Sequence, residues 1–515
     1  MRAFAASKRE EQERGVRWLK DASIFMGLWE MDHLSKLLLG EDERQRLWRL
    51  LFEVIEDYTK RVGEARVAPE LDLQALRSFL KPFDFGQSVE PLEAVRRVAE
   101  GLWQYQVHTP HPRYFGLFNP APTSASIAGD ALVAAFNPQL AAWSHSPLAA
   151  EIEQHLVRAF GVRFGYEEAE VDGTFASGGA EANHTAMLTA LVQAFPRYAA
   201  SGARALEAQP VFYVTEQSHH SFVKAARLCG IGTDAVHEIP LDEDLKMDAR
   251  SFSSQISKDT REGFLPFMVV ATAGTTGGGI IDPIKEIARI AADAKLWLHV
   301  DAAWGGAAAL VPELKTALEG IERADSITFD AHKWLSVPMG AGLYITRHKD
   351  ILSKTFGTPT DYMPRDAAGL EVVDPYMHSM QWSRRFTGLK VFLSLTVAGW
   401  EGYAAAIRHQ AAMGDTLRRE LENTGWKVIN KTPLPVVCFV DDEHERGRER
   451  SYLEAVAREV VRSGEAWISS TRLDAHTHVL RACITNYRTA HEDVLALVQT
   501  LGKARKAVTG NGKKP

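Results

Sequence analysis

Residues 324–342, with the sequence ADSITFDAHKWLSVPMGAG, place a lysine where chemistry could occur. The run at 326–329 predicts a short buried strand, and Lys333 lies in the turn that leaves it. Strand ends of this kind are where α/β proteins place reactive groups. Phe329 and Trp334 flank the lysine, and desolvation of an amine favours the nucleophile that forms a Schiff base. The alternative is a surface charge, which is the commoner role of lysine.

A second stretch, LWLHVDAAWGG at residues 296–306, ends an apolar run in a single aspartate, Asp301. A carboxylate buried there needs a cationic partner, and a protonated pyridine nitrogen is one such partner. The small Ala303 would let a flat ring lie against the strand. The alternative is an aspartate that caps the next turn. Together, Lys333 and Asp301 favour a site for a pyridine ring beside a nucleophilic amine.

The combination of a strand ending in Asp-x-Ala with a strand leading to His-Lys resembles the group II pyridoxal-phosphate decarboxylases, the family of the aromatic amino-acid, glutamate and 2,4-diaminobutyrate decarboxylases. The resemblance covers roughly residues 70–500. It implies a carboxy-lyase that converts an L-amino acid to the amine and carbon dioxide. It also implies pyridoxal 5'-phosphate as the cofactor, held as a Schiff base by Lys333, with Asp301 at the pyridine nitrogen and Ala303 beside the ring.

A candidate phosphate site is the run SGGAEAN at residues 177–183, which predicts a helix that opens with small residues. Free backbone N–H groups and the helix dipole at such a start can bind an anion. An ordinary capped helix start explains the run equally well. The resemblance assigns the cofactor phosphate to Gly179 and Ala180, and His332 is a further candidate phosphate ligand.

Two histidines, His219 and His220, follow the apolar run at residues 212–214. A histidine at a strand end can present a flat face to a pyridine ring. The resemblance selects His219 for this role, whereas His220 is expected to be exposed to water. A Gly-rich turn at residues 273–279 follows another apolar run but lacks GxGxxG, which argues against a dinucleotide-binding fold. Thr275 in this turn is predicted to hydrogen-bond the cofactor or the substrate carboxylate.

A tyrosine, Tyr362, lies in a segment of turn-forming residues that predicts a mobile loop. The resemblance implies that this tyrosine is catalytic and protonates the α-carbon after carbon dioxide has left. Closure of such a loop over the substrate would exclude water and bring the donor to the carbanion. A solvated loop tyrosine is the alternative. Family members with phenylalanine here tend toward aldehyde synthesis, so a tyrosine favours simple decarboxylation.

The substrate pocket is predicted from two segments that resemble those of the family. Residues 111–118 resemble its HPxFFxxF segment, which makes Phe118 and Pro120 pocket candidates. Residues 381–386, QWSRRF, place Ser383 and Arg384 beside the substrate side chain, although such arginines more often tie a loop or a dimer together. Ala141 stands where the aromatic members have a phenylalanine, and Asp330-Ala331 replaces the usual Asn-Pro before His-Lys.

An aromatic L-amino acid is the favoured substrate. The alternatives are 2,4-diaminobutyrate or an acidic amino acid such as glutamate or aspartate. Less favoured alternatives are a carbon-carbon lyase of the sphingosine-phosphate type and a non-catalytic protein that binds pyridoxal phosphate. The complete set of Lys333, Asp301, His219 and Tyr362 argues against a non-catalytic protein, since a binding module has no need of Tyr362.

The elements that position these residues alternate between strands and amphipathic helices from residue 150 to 345, which predicts a mostly parallel α/β sheet covered on both faces. The resemblance makes this the fold type I of pyridoxal-phosphate-dependent transferases. Four segments are expected: an N-terminal helical dimerisation segment at 1–105, a large cofactor-binding domain at 106–400, a small C-terminal α+β domain at 401–505, and a disordered tail at 506–515. The resemblance implies a homodimer.

Composition limits the possible partners of this chain of 515 residues. The net charge of −7 gives no global positive field for nucleic acid or an anionic membrane. The three cysteines form no CxxC pair, which favours a reducing, cytoplasmic compartment. His108 and His111 are a poor metal pair, because a proline separates them and no helix is predicted, so no metal is expected. No transmembrane segment or signal peptide is expected.

Overall fold

The computed structural model of this chain describes residues 37–358, 360–361, 363 and 369–510. These residues form two compact units. The first comprises the chain up to residue 64 together with 69–107, and the second comprises 65–68 together with the chain from residue 108 onward. Along the described residues, no helix combines the length and apolarity needed to cross a lipid bilayer.

The described part of the first unit is helical. Its helices are α1 (Glu41–Arg61), α2 (Leu73–Leu80) and α3 (Pro91–Tyr105). Three acidic residues in the first turn of α1 and two basic residues in its last turn complement the helix dipole. Tyr58 of α1 meets Trp103 of α3 edge to face, with ring centroids 5.7 Å apart. The predicted N-terminal helices before residue 37 lie outside the described residues.

The second unit is built on a seven-stranded sheet with the strand order β1-β7-β6-β5-β4-β2-β3. Its strands are β1 (Asp172–Ala176), β2 (Pro210–Val214), β3 (Val236–Glu238), β4 (Leu265–Thr272), β5 (Trp297–Asp301), β6 (Ser326–Asp330) and β7 (Gly342–Thr346). Strands β3, β2, β4, β5 and β6 pair in parallel. The predicted mostly parallel sheet is therefore confirmed.

Strand β7 departs from the parallel arrangement, since it pairs antiparallel with both β6 and β1. The short connection at residues 331–341 contains no helix to carry the chain back across the sheet. A parallel pairing needs a crossover of about a dozen residues or more, usually a helix. The connection instead makes a tight return that includes Gly340 at φ +83°.

Helices cover both faces of this sheet. Successive residues of each strand point to opposite faces, so both faces carry apolar side chains that the helices bury. In β2, Val211 and Tyr213 belong to one hydrophobic cluster, while Phe212 and Val214 belong to another. The helices of this region are α4 (Ser124–Phe136), α5 (Pro147–Phe164), α6 (Gly179–Ala194), α7 (Tyr198–Ser201), α8 (Ser221–Leu228), α9 (Ala249–Glu262), α10 (Ile284–Asp293), α11 (Pro312–Lys315) and α12 (Ile351–Phe356).

A long helix, α13 (Gly388–Glu422), leads to a smaller antiparallel sheet with the order β10-β11-β9-β8. Gly399 interrupts α13 at φ +63°, a conformation that glycine adopts without a Cβ clash. The remaining elements are β8 (Trp426–Val428), β9 (Val436–Asp441), α14 (Arg450–Ser463), β10 (Ser469–Arg472), β11 (His478–Cys483) and α15 (His491–Gly510). The predicted start of a disordered tail at residue 506 is wrong, because helix α15 continues through Gly510.

Candidate active site

Three neighbouring parallel strands end at one edge of the large sheet, β4 at Thr272, β5 at Asp301 and β6 at Asp330. Lys333 lies in the turn directly after β6. Because the carboxyl ends of parallel strands meet at the same edge, residues far apart in the sequence converge there. The edge opens into a cleft with an empty volume of about 390 Å³.

Six residues predicted from the sequence line this cleft. They are Gly179, Ala180, His219, Asp301, Ala303 and Lys333. The lining also includes Asn183, Thr272, Gly274, Thr276, Trp304 and Asp330, which were not predicted to contact a ligand. The cleft therefore combines an amine, two carboxylates, an imidazole and the start of a helix.

The side chain of Lys333 is partly buried, and its Nζ lies 2.9 Å from Oδ2 of Asp330. The same Nζ lies 5.9 Å from the centroid of the Phe118 ring, near the outer limit of a cation–π contact. Lys333 thus has the apolar neighbour and the restricted exposure expected of a reactive lysine rather than of a surface charge. The ion pair with Asp330 was not anticipated.

Asp301 is buried, and hydrogen bonds hold both of its carboxylate oxygens. Asn183 Nδ2 donates to Oδ2 at 2.9 Å, and the backbone N–H of Ala303 donates to Oδ1 at 3.1 Å. Neither donor carries a positive charge, so a cationic ligand atom in the cleft would supply what the carboxylate lacks.

A hydrogen-bonded network behind Asp301 fixes Asn183. Its Oδ1 lies 3.2 Å from Nε2 of His299, and its Nδ2 also donates to the hydroxyl of Ser221 at 3.0 Å. Burial lowers the pKa of His299 to about 4, so this histidine is neutral at physiological pH. The network orients the carboxylate without adding a competing charge.

His219 lines the cleft and is held by Ser221, whose hydroxyl lies 2.8 Å from His219 Nδ1 and whose backbone N–H donates to the same atom at 3.2 Å. A backbone donor to Nδ1 leaves the proton of the neutral ring on Nε2. Partial burial lowers the pKa of His219 from its ordinary value. The ring is thus a neutral planar group that a flat ligand can stack on, as predicted for the cofactor ring.

The start of α6 is open to an anion. Its N-cap residue, Gly178, has no side chain to cap the first turn, and Gly179 is the first helical residue. A Cβ at Gly179 would lie 3.3 Å from the Cβ of Ala303 and 2.9 Å from Oδ2 of Asp330, so only glycine fits there. Backbone N–H groups at such a helix start suit a phosphate.

His332 lies behind this helix start, since its Cε1 would be 3.4 Å from a Cβ placed on Gly178. Its Nδ1 accepts the backbone N–H of Ala341 at 3.1 Å. Burial lowers the pKa of His332. The neutral ring therefore carries its proton on Nε2, which is the atom that could donate to a phosphate.

The prediction for Thr275 needs correction. Its side chain is buried and does not line the cleft, and its Oγ1 accepts the backbone N–H groups of Gly278 and Ile280. The residue shapes the Gly-rich turn, while its neighbours Gly274 and Thr276 face the cleft.

The structure also corrects Arg384 as a substrate ligand. Its Nη1 lies 2.6 Å from Oε2 of Glu153, and both side chains are buried. Oε1 of Glu153 accepts the backbone N–H groups of Thr387 and Gly388 at the start of α13. Arg384 therefore ties α5 to α13 and is not available to the substrate.

The other predicted pocket residues differ in their surroundings. Phe118 is buried beside Lys333, as expected of a pocket residue. Pro120 is buried in the same segment, whereas Ser383 is exposed, and neither lines the cleft. Tyr362 lies outside the described residues, so its position stays a prediction.

We expect Glu153→Ala to lower the free energy of unfolding by about 3–5 kcal/mol, because it would leave the Arg384 guanidinium buried and unpaired. Glu313→Ala is the matched control, since Glu313 pairs with Arg408 at an exposed position. The control should cost less than about 1 kcal/mol. Denaturant unfolding of the two apoproteins measures both values, and equal losses would contradict the structural role of Glu153.

An arginine that the sequence reasoning missed, Arg481 of β11, lies close to the cleft. It is buried, its Nε donates to the carbonyl of Thr276 at 2.9 Å, and its Nη1 donates to that of Gly116 at 2.7 Å. Its guanidinium carbon lies 4.9 Å from the Phe118 ring centroid. Among the described residues, its Nη2 has no hydrogen-bond partner. An arginine within an otherwise apolar run, VLRAC, is the signal that could have identified it.

Aromatic rings form the wall beside Phe118. The Phe118 ring stacks on Trp304 at 4.5 Å between centroids, and Trp304 stacks on Trp334 at 5.2 Å. Such offset stacks are rigid apolar surfaces. Trp304 lines the cleft, whereas Phe118 and Trp334 are buried and do not, so a planar side chain entering the cleft would meet the Trp304 ring.

The residues of the cleft fit pyridoxal phosphate. Lys333 can bind the carbonyl carbon of the cofactor. The Asp301 carboxylate has no cationic partner among the described residues, and a protonated pyridine nitrogen would be one. His219 offers a planar face to the ring. Gly179 and Ala180 line the cleft at the start of α6, where backbone N–H groups can bind a phosphate. A search of the described residues finds no cluster of histidine, cysteine, aspartate and glutamate that could hold a metal ion.

Comparisons with known proteins point to the same chemistry. Residues 74–441 match the profile described as the pyridoxal-dependent decarboxylase conserved domain. The chain is 29% identical over 473 residues to an aromatic-L-amino-acid decarboxylase of Bacillus atrophaeus, covering 91% of this chain and 96% of the relative. It is 27% identical over 503 residues to an L-2,4-diaminobutyrate decarboxylase of Rhizobium meliloti (strain 1021), covering 94% and 97%. The crystal structure of mouse CSAD is similar with a TM-score of 0.84 and 25% identity, covering 90% of this chain and 99% of that one.

Proposed function

Because this chain belongs to the pyridoxal-dependent decarboxylase family, we propose that the amino acid it decarboxylates is an aromatic L-amino acid. As a family member it is a carboxy-lyase of an amino acid that uses pyridoxal phosphate. Decarboxylation is thus favoured over a carbon-carbon lyase or a non-catalytic carrier. The choice of substrate rests on the stack of Phe118, Trp304 and Trp334 beside Lys333.

The roles proposed for the cofactor-binding residues follow from their positions in the cleft. Lys333 would hold the carbonyl carbon of the cofactor, and Asp301 would keep a proton at the pyridine nitrogen. His219 would face the ring, and the N–H groups of Gly179 and Ala180 would bind the phosphate. When bound, pyridoxal phosphate supplies an electron sink for the pair released from the bond between the α-carbon and the carboxylate.

The substrate side chain and carboxylate meet different parts of the cleft. A planar side chain packs against the Trp304 ring, which the stacked Phe118 ring supports, and such aromatic contacts are worth more than apolar burial alone. The charge of Arg481, 4.9 Å from Phe118, attracts the substrate carboxylate. Arg384 contributes nothing here, because Glu153 already neutralises it.

A second candidate substrate is 2,4-diaminobutyrate. The similarity to a 2,4-diaminobutyrate decarboxylase over 94% of this chain supports this alternative. An acidic amino acid is less favoured, because the arginine predicted to bind its side chain is engaged by Glu153.

A substrate panel tests this proposal. The full chain reconstituted with pyridoxal phosphate is offered phenylalanine, tyrosine, tryptophan, glutamate, aspartate and 2,4-diaminobutyrate, and kcat/KM is measured from amine formation. We expect the best aromatic substrate to exceed the others by about 100-fold, the discrimination an apolar pocket can give. A higher kcat/KM for 2,4-diaminobutyrate or an acidic amino acid would overturn the aromatic assignment.

We also propose that Tyr362, which lies outside the described residues, protonates the α-carbon. In air-saturated buffer, Tyr362→Phe should retain cofactor binding and shift the product from amine toward aldehyde. Without a proton donor for the α-carbon, dissolved oxygen can take up the two electrons instead, so that aldehyde, ammonia and hydrogen peroxide form in place of the amine. Product analysis by mass spectrometry, with Tyr376→Phe as a control at a buried tyrosine, measures the shift. Unchanged amine output would remove this role from Tyr362.

The proposed assembly is a homodimer. In the second unit, apolar side chains are exposed in the single chain, among them Phe136 at 81%, Leu148 at 74% and Val397 at 75%. Large exposed apolar side chains mark surfaces that another protein covers, and a second copy is the commonest such partner. Sedimentation equilibrium of the holoenzyme should give the mass of two chains. The mass of one chain at micromolar concentration would contradict the dimer.

The proposed location is the cytoplasm. All three cysteines, Cys229, Cys438 and Cys483, are free thiols. Unpaired buried cysteines are typical of proteins kept in a reducing compartment. Fractionation of the source cells with activity in the cytosolic fraction would support this location, and activity confined to another fraction would contradict it.

A further inference from the structure

We propose that Asp330 is the fixed counter-ion of the Lys333 side-chain nitrogen, both when that nitrogen is a free ammonium and when it is linked to the cofactor. Its effect is to keep the nitrogen protonated to higher pH than a neutral residue at the same position would. The part concerning the linked state rests on the proposed function, whereas the part concerning the free ammonium does not.

The Asp330 carboxylate has Lys333 as its one close ionic partner among the described residues. The residue ends β6 and is 1% exposed. Its Oδ2 lies 2.9 Å from Lys333 Nζ. Apart from this ion pair, neither carboxylate oxygen has a hydrogen-bond partner among the described residues. A buried carboxylate without hydrogen bonds depends on its one ionic partner far more than a surface carboxylate does.

The Asp330 carboxylate is also closely packed between two glycines. A Cβ at Gly179 would lie 2.9 Å from Oδ2, and a Cβ at Gly342 would lie 2.8 Å from Oδ1. Two glycines thus form the walls of the space that holds the carboxylate. The backbone N–H of Asp330 is in turn held by the carbonyl of Ala303 at 3.0 Å. The side chain is positioned before any ligand arrives.

The histidines around the pair do not replace Lys333 as the cation. His332 Nε2 lies 3.8 Å from Asp330 Oδ2. The charge of Asp330 also acts on His219, where it favours the protonated ring but less strongly than burial opposes it. Burial lowers the pKa of both rings below the ordinary value of histidine, so both are neutral near pH 7. A neutral ring can polarise the carboxylate but cannot balance its charge.

In the part of the chain that the structure describes, the other cations nearby form no ion pair with Asp330. Lys390 Nζ donates to the carbonyl of Met339 at 2.8 Å and to Asp130 at 3.3 Å. Arg481 donates through Nε and Nη1 to two backbone carbonyls and lies over the Phe118 ring. Asp301, the other carboxylate of the cleft, carries the same sign as Asp330 and cannot serve as its partner. Lys333 is the cation that balances Asp330.

The charge on the lysine nitrogen is conserved when the cofactor binds. An ammonium and a carbonyl group give a protonated C=N nitrogen and one water molecule, in which two of the three ammonium protons leave with the carbonyl oxygen. One positive charge stands opposite Asp330 before the reaction and one stands there afterwards. The buried ion pair therefore survives cofactor binding, which a neutral asparagine at this position would not provide.

The experiment compares the full chain with Asp330→Asn, and with Asp130→Asn as the matched control. Asp130 also pairs with a buried lysine, Lys390, but does not line the cleft. In the cofactor-loaded proteins, the visible absorbance band of the protonated C=N nitrogen is titrated with pH. We expect its midpoint to fall by about one pH unit or more in Asp330→Asn, the size expected when an opposite charge nearby is removed. Asp130→Asn should titrate like the wild type.

A second measurement uses the apoproteins and needs no cofactor. The neutral reagent 1-fluoro-2,4-dinitrobenzene labels Lys333, and peptide mass spectrometry follows the rate at pH 7.5. We expect labelling of Asp330→Asn to be about tenfold faster, because one pH unit corresponds to tenfold more free amine. Asp330→Ser, checked by near-UV circular dichroism, repeats both measurements in case the asparagine variant does not fold.

Coincident titration curves, or equal labelling rates, for wild type and folded variant would overturn the proposal. If the chain bound no pyridoxal phosphate at all, the proposed function would fail while the labelling rates still decided whether Asp330 holds the proton on Lys333. The two claims thus fail separately.

Discussion

The Lys333→Ala variant is expected to lose decarboxylase activity by on the order of 10,000-fold or more, since it removes the group that forms the covalent bond to the cofactor. Among the described residues that line the cleft, Lys333 supplies the amine, and its Nζ lies 5.9 Å from the centroid of the Phe118 ring. The variant should still bind pyridoxal phosphate through the helix start and the stacking histidine, but without the visible band of a lysine-linked cofactor. Activity and absorbance are measured on the same sample.

The control for this variant is Lys285→Ala, at an exposed lysine that pairs with Glu319. It should retain wild-type activity and absorbance. Borohydride reduction of the wild-type holoenzyme, followed by peptide mapping, should place the cofactor on the peptide that contains Lys333. A retained lysine-linked band in Lys333→Ala would contradict the assignment outright.

The second large effect is expected for Asp301→Asn, which should lower kcat by roughly 100- to 1,000-fold, the range typical of removing one group that stabilises developing charge. Asparagine keeps the size of the side chain, but its single amide oxygen can accept only one of the two hydrogen bonds that Asn183 and Ala303 donate to Asp301. It cannot hold a proton on the pyridine nitrogen, so the ring becomes a weaker electron sink.

Measurement of kcat together with the cofactor dissociation constant separates chemistry from binding in this variant. Asp293→Asn, at the exposed end of α10, is the control and should not change either quantity. A kcat for Asp301→Asn within twofold of the wild type would show that the pyridine nitrogen does not depend on this carboxylate.

The central strands of the fold could be predicted from the sequence because each is a short apolar run with a sharp end. Strands β5 and β6 begin and end within a residue or so of the predicted positions. Strand β1 was not predicted, since its sequence DGTFA contains two poor strand formers. Its pairing with β7, more than 160 residues later, determines its conformation.

Several residues that line the cleft could be predicted for the same reason, because they follow parallel strands or begin a helix at one edge of the sheet. Lys333, Asp301, His219 and Gly179 all line the cleft. A sequence shows where a strand ends, and the topology of a parallel sheet then places these ends together. This is why the residues at the strand ends were easier to predict than those of the proposed substrate pocket.

The errors concern residues whose partners lie far away in the sequence. Arg384 was predicted to contact the substrate, but it forms a buried ion pair with Glu153, which lies on a helix far away in the sequence. Arg481 was missed because it reaches the large domain from the smaller sheet, and no local pattern shows that contact. Long-range ion pairs and hydrogen bonds of buried polar groups depend on the tertiary fold, which a local motif does not contain.

Decarboxylation of an aromatic amino acid through Lys333 is tested most directly by the release of labelled carbon dioxide from carboxyl-labelled substrates. The full chain is reconstituted with pyridoxal phosphate, and the second product is identified in the same sample. We expect carbon dioxide and the corresponding amine in equal amounts, and neither product from Lys333→Ala. Absence of carbon dioxide from every aromatic, acidic and diamino acid offered, with the cofactor bound, would contradict the proposed function.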